Sequence, residues 1–273
     1  MSQAVYRPRA PDRLALTLEE LEALGLRCAR GPAPVYALPV LHGRFEFAWL
    51  TRQVVTLLRP GAIAVELPES YERAVLRAIE RLPLLSVVQS TAGGAGRPVY
   101  LPIEPADALI EAVRLGQERA VPVAFADLEL ERYPQVRERF PDPAAAERLG
   151  ARAYLETALA LVDGHARVDD DDAREATMVY HLQRLLHDED SRLAGRPILL
   201  VCGLHHARAV LKTLDEQLRA GLGAAPIPIR RGVRRSAIVH HLSETSSREI
   251  LSELPFINAA FERARGRPRA RAP

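Results

Sequence analysis

The sequence predicts an α/β fold, with a mostly parallel central sheet and helices on both faces, in a single domain over residues 1–262. Three observations lead there. Apolar runs too short for helices alternate with segments of helical period, the pattern of consecutive βαβ units. Two of those runs, PVYALPVL before His42 and PILLVCG before His205-His206, stop just where an amphipathic helix begins. A chain of 273 residues, 48 % hydrophobic, is long enough to bury one large core.

Each element follows from local signals. Thr17-Leu-Glu-Glu20 has capping-box form and starts a short helix over about residues 18–24. A strand at 35–41 precedes a helix at 45–58, where Phe45, Trp49, Arg52, Val55 and Leu58 recur at helical spacing. Arg59-Pro60-Gly61 breaks that helix. Residues 62–66 read as a short buried strand ending in Glu66, and Pro68 opens the next helix, which runs to about residue 82. Residues 84–89 and 99–103 look extended on either side of a glycine-rich loop. A helix at 105–119 leads into a strand at 121–126 that ends at Asp127. The middle is helical, roughly 143–162 and 171–186, and this insertion over about 140–190 is placed to cap a site. After the strand and helix around His205 come a last strand at 237–242 and short helices to about residue 264. Residues 263–273 read as a basic flexible tail. There is no internal repeat.

Composition excludes several classes. Net charge is +2, with positive charge gathered in Arg230, Arg231, Arg234, Arg235 and the terminal RARGRPRAR. No aromatics interleave these arginines, so a solvated end is favoured over a nucleic-acid surface. Of 37 basic residues only Lys212 is lysine, which suits a GC-rich coding bias better than a binding function. Cys28 and Cys202 give no disulfide framework, as expected of a reducing cytoplasm. No apolar run approaches the roughly 18–20 residues of a membrane span. The N-terminus lacks the apolar stretch of a signal peptide.

The candidate site collects at the strand ends: His42, Glu66, Asp127 and His206, with His205 beside it. If the strands are parallel, those ends share one edge of the sheet, where ligands bind in open α/β folds. Two histidines and two carboxylates suit a divalent metal, zinc or manganese, that would activate water. Without a metal, one histidine serves as general base and a carboxylate orients it. The plainer alternative is that such residues cap the following helix, which suits Asp127. Strand alternation sends His240 and His241 to opposite faces. Arg174 and Glu175 form a second candidate pair behind four aspartates at 169–172. Those aspartates complement a helix dipole; the glycine and distal glutamate of a calcium loop are missing. Gly93-Gly94-Ala95-Gly96 is no phosphate loop, since no Lys-Ser/Thr follows it. Ser243, Ser246 and Ser247 lack the context of a nucleophile.

In order and spacing these pieces resemble one superfamily: the TraB proteins, Tiki proteases, haem-binding ChaN lipoproteins and erythromycin esterases. The likeness runs over about residues 35–214. Pro39-Val-Leu-His42 stands for a Gly-x-x-His strand end, Ile63-Ala-Val-Glu66 for the Glu strand, and Val123-Ala-Phe-Ala-Asp127 for the Asp strand. Arg174-Glu-Ala-Thr-Met178 stands for an Arg-Asp-x-x-Met helix start, and Gly203-Leu-His-His206 for the last motif, which favours His206 over His205. Pro39 for glycine and Glu175 for aspartate mark a divergent bacterial branch. The resemblance implies hydrolysis of an ester, lactone or amide in a small molecule or peptide, or else non-catalytic binding of haem or a peptide. His42, Glu66, Asp127 and His206 would be metal ligands or bases. Arg174 would clamp developing negative charge, and its change to alanine is expected to cost activity and little stability. The expected partners are a substrate or ligand and a second copy of the chain in a homodimer, and neither nucleic acid nor membrane.

Overall fold

In the computed structural model, which describes residues 14–92, 98–130, 140–164, 167, 170–187, 195–222 and 235–265, the chain opens with helix α1 (Leu18–Ala23). Its capping box forms: the Thr17 hydroxyl accepts the Glu20 amide, and the Glu20 carboxylate accepts the Thr17 amide. Strands β1 (Arg27–Cys28) and β2 (Val35–Val40) follow, then helix α2 (Phe45–Leu58), whose bounds match its periodicity. Strand β3 (Ala62–Pro68) runs past Glu66, so Pro68 closes a strand and does not open a helix; a 3-10 turn (Glu69–Tyr71) separates it from α3 (Glu72–Ile79). Next come β4 (Ser86–Ala92), β5 (Val99–Ile103), α4 (Ala108–Glu118) and β6 (Val123–Asp127). The helix expected over 143–162 is divided at Gly150 into α5 (Ala145–Leu149) and α6 (Ala151–Asp163). The φ of +91° at Gly150 is one that a side chain with a Cβ rarely adopts. Helix α7 (Asp171–Leu186), strand β7 (Ile198–Gly203), helix α8 (Ala207–Arg219), strand β8 (Arg235–His241) and helices α9 (Glu244–Ile250) and α10 (Pro255–Arg265) complete the order. Gly93, Gly94, Ala95, Gly96, Asp169, Arg230, Arg231, Arg234 and residues 266–273 lie outside the described residues.

The α/β class is as expected. Strands β2, β7, β3 and β6 lie side by side and parallel, with β1 antiparallel outside β2. Every residue of β2, β3 and β7 is buried, which is why those segments read as unbroken apolar runs. Helices α2 and α4 pack together against the sheet, and α7 and α8 form a second such pair. A second sheet departs from the single-sheet expectation: β5, β4 and β8 pair antiparallel. Here His240 and His241 face Val87 and Ser86 of β4, away from the ends of the parallel strands. No helix among the described residues is long and apolar enough to cross a membrane.

Aromatic contacts fix the outer helices. Tyr154 of α6 meets Phe47 of α2 edge-on, 5.8 Å between ring centroids, and Phe261 of α10 meets Trp49 at 6.1 Å. The basic C-terminal stretch begins later than expected, because Arg263 and Arg265 belong to α10. The Glu111 side chain on α4 is fully buried and takes Arg265 at 2.7 Å and Arg52 of α2 at 2.9 Å. A carboxylate out of reach of water requires such partners, and this one joins three helices. Glu111→Ala is therefore expected to destabilise the fold by about 3–5 kcal/mol, because two arginines lose their counter-charge. The double change Glu111→Leu with Arg265→Met should recover much of that loss, as urea unfolding of both variants would show.

Candidate functional site

Parallel pairing brings four carboxyl ends to one edge of the sheet. Val40 ends β2 opposite Gly203, the end of β7, so His42 and His206 emerge side by side just beyond. Between β3 and β6 the register shifts: Val65 faces Phe125, but Pro68 faces Asp127. The extra residue falls at Glu66 and Leu67, and a bulge of this kind redirects a side chain next to a site. Asp127 is the last residue of β6, and α7 supplies Arg174 and Glu175 from its N-terminal turns.

Arg174 lies at the centre. Its Nε donates to Asp127 Oδ1 (3.0 Å), while its Nη2 donates to Asp127 Oδ2 (2.8 Å) and to Glu66 Oε1 (2.5 Å). The second Glu66 oxygen accepts the Gly203 backbone N–H. His42 Nε2 stands 3.6 Å from that oxygen, and His206 Nε2 stands 3.7 Å from Glu66 Oε1. His206 Nδ1 pairs with Glu175 Oε1 at 3.1 Å, and the other Glu175 oxygen takes Arg167 at 2.5 Å. Glu66, Asp127, Arg174, Glu175 and His206 are buried, whereas 49 % of the His42 side chain remains exposed.

Burial and pairing oppose each other, and the outcome differs from group to group. Burial alone would raise Glu66, yet His42, Arg174, His206 and the Gly203 N–H outweigh it and hold the carboxyl down to about 2. For Asp127 burial wins: with the Glu66 charge beside it, the group sits above its ordinary value despite the pull of Arg174. Two carboxylates sharing one guanidinium thus differ in proton affinity. Burial works against charging His206, but Glu175 and Glu66 raise it above the ordinary 6.5. Both carboxylates keep Arg174 firmly protonated in spite of its burial.

All four strand-end residues singled out from the sequence meet here, together with Arg174 and Glu175. His205 lines the same cavity, with its ring edge-on to Phe140 at 5.6 Å. The cavity holds about 470 Å³, and its walls come from β5, α4, the β2–α2 turn and Phe140. Among the described residues, the middle of the chain contributes Phe140 and Arg174 to this lining and nothing from α5 or α6. Two contributors were not anticipated. Asp107 Oδ2 accepts the Gly43 N–H at 2.7 Å, while its Oδ1 caps α4 through the Leu109 and Ile110 amides. Glu253, just before α10, accepts the Phe45 N–H at 3.2 Å. Together they hold the turn that carries His42. Gly43 has a φ of +64°, and a Cβ there would lie 2.3 Å from the Cβ of Ser252. The cap signal at Asp107 was legible, but the apparent helix start at Pro105 hid it.

A metal fits this donor set poorly. Among the described residues no group of three or more His, Cys, Asp or Glu is arranged to hold one. The point between Glu66 and Asp127 is taken by the Arg174 guanidinium, which already engages three of their four oxygens. The fourth, Glu66 Oε2, accepts the Gly203 amide.

The expectation that Arg174 matters little for stability is corrected. Arg174→Ala leaves two buried carboxylates without their cation and should cost about 3–5 kcal/mol, read from denaturant unfolding at neutral pH. A second expectation concerns pH. His206 is raised in the folded chain, so its contribution is complete below 6.5 and is lost as pH rises through its folded value. The melting temperature should fall over that alkaline side, and His206→Gln should flatten the slope. A wild-type profile equally flat would refute the ion pair. No family model, curated protein or solved structure matches the chain.

Proposed function

We propose that this chain is a hydrolase of ester, lactone or amide bonds that uses histidine as general base and needs no metal. One observation carries the reading: an exposed histidine, His42, and a buried histidine, His206, both lie against the buried, ionised carboxylate of Glu66, and the charged form of His206 is favoured by Glu175 and Glu66. One exposed and one buried histidine on the same carboxylate suit the roles of base and acid. The motif order that resembles the esterase and protease superfamily points the same way.

In this mechanism Glu66 orients the His42 ring through Nε2–H, which leaves Nδ1 to take a proton from water. The 3.6 Å separation closes to a hydrogen bond by a small rotation of the exposed ring. Hydroxide adds to the carbonyl carbon, and the oxygen gains negative charge. His206, with Nδ1 paired to Glu175 and its charged form favoured there, stabilises that developing charge. Collapse of the adduct expels the alcohol or amine, which takes the proton held by His42. Arg174 acts indirectly, fixing Glu66 and Asp127. A cytoplasmic location suits the two free cysteines, both buried.

A second reading, ligand binding without catalysis, draws on the degree to which Glu66, Asp127 and Arg174 satisfy one another. Activity separates the two. With a panel of nitrophenyl esters and lactones, His42→Ala should lower kcat/KM by about 10²–10⁴. Its stability should stay within about 0.5 kcal/mol of wild type, since the ring is exposed. A chelator should leave the wild-type rate unchanged; loss of activity that zinc or manganese restores would overturn the metal-free mechanism.

A further inference from the structure

The cavity above His42 and Glu66 combines a floor crowded with charge and, among the described residues, walls that carry no arginine or lysine. Among the described residues its ionisable lining consists of three carboxylates, Glu66, Asp107 and Asp127, one arginine, Arg174, three histidines, and the phenols Tyr71 and Tyr100. Arg174 is bound to two of the carboxylates. Both oxygens of Asp107 accept backbone amides. His206 gives Nδ1 to Glu175. An anionic group brought into the cavity would leave water, find no arginine or lysine besides the doubly paired Arg174 among the described lining residues, and lie near carboxylates.

The walls offer something else. Leu41, Val99, Leu101 and Phe140 line the cavity and are only partly buried, so each keeps surface that a ligand can cover. They come from three separate stretches: the β2–α2 turn, strand β5 and the segment before α5. A cavity of about 470 Å³ lies within the range of sites that enclose small organic molecules. The apolar side chains lie beside the catalytic floor, where the acyl part of a substrate sits once its carbonyl reaches His42.

From this we infer that the site takes substrates with an uncharged, apolar acyl group and excludes those whose acyl group carries a carboxylate. The inference rests on the hydrolase reading for its chemistry but not for its ligand class. Haem, with two propionates, falls on the excluded side.

The test compares a neutral with an anionic acyl chain of similar length, in hydrolysis and in binding. Nitrophenyl hexanoate should be hydrolysed at least about tenfold faster, in kcat/KM, than the nitrophenyl monoester of adipic acid. In ligand-observed NMR with His42→Ala, N-butylhexanamide should bind while the N-butyl monoamide of adipic acid does not. Val99→Arg, which places a cation in the wall, should narrow the ester preference; its melting temperature shows whether it remains folded. Binding of the hexanamide with no ester hydrolysed would refute the hydrolase and leave the ligand class standing. Equal or tighter binding of the adipic monoamide, or no binding of either amide, would overturn the ligand class whatever the activity. Wild-type rates that favour the adipic monoester would overturn it too, independently of the Val99 variant.

Discussion

A single guanidinium shared by two buried carboxylates organises this molecule. Glu66 leaves the sheet at the end of β3 and Asp127 at the end of β6, neighbours in space on adjacent parallel strands. Two such charges near each other and out of water repel strongly and are poorly solvated. Arg174 from α7 settles both difficulties at once, donating to each. The position of α7 against the sheet, the bulge at Glu66 and the hold of Gly203 on the second Glu66 oxygen are all consistent with that one requirement. The centre ties the strand ends to α7 and so supports the fold.

The same burial separates the two histidines. His206 lies beneath the surface between two carboxylates, where charging it is favourable. His42 sits one strand away with half its side chain in water. Similar residues at similar strand ends thereby acquire different chemistry, and exposure, not residue type, sets the difference. The proposed roles of base and acid draw on that difference in surroundings.

The sequence was informative where local signals decide the outcome. The limits of α2, the capping box of α1 and the apolar strands β2 and β7 follow from periodicity and short motifs. The convergence of His42, Glu66, Asp127 and His206 follows from parallel strands alone, since such strands share an edge. Interactions between distant segments were less legible. Arg174 meets Asp127 across 47 residues of sequence and Glu66 across 108, and no local pattern announces that it bridges them. The small antiparallel sheet depends on β4 finding β8 some way down the chain, with Ser86 opposite His241; extended segments carry no label of their partner. The division between α5 and α6 rests on the left-handed backbone of one glycine inside an otherwise continuous helical pattern.

The turn that carries His42 lies near the start of the chain, yet its fixing points lie far along it. Glu253 receives the Phe45 amide, and Ser252 fills the space beside Gly43. The segment 252–258 is itself anchored on Glu104, whose carboxylate accepts the Ser252 and Glu253 amides and the Asn258 side chain. On the ribosome, then, all the parallel strands have emerged with β7, while the residues that hold the His42 turn are still to come. The turn that carries His42 is therefore set only when residues 252 and 253 arrive, after every strand of the parallel sheet.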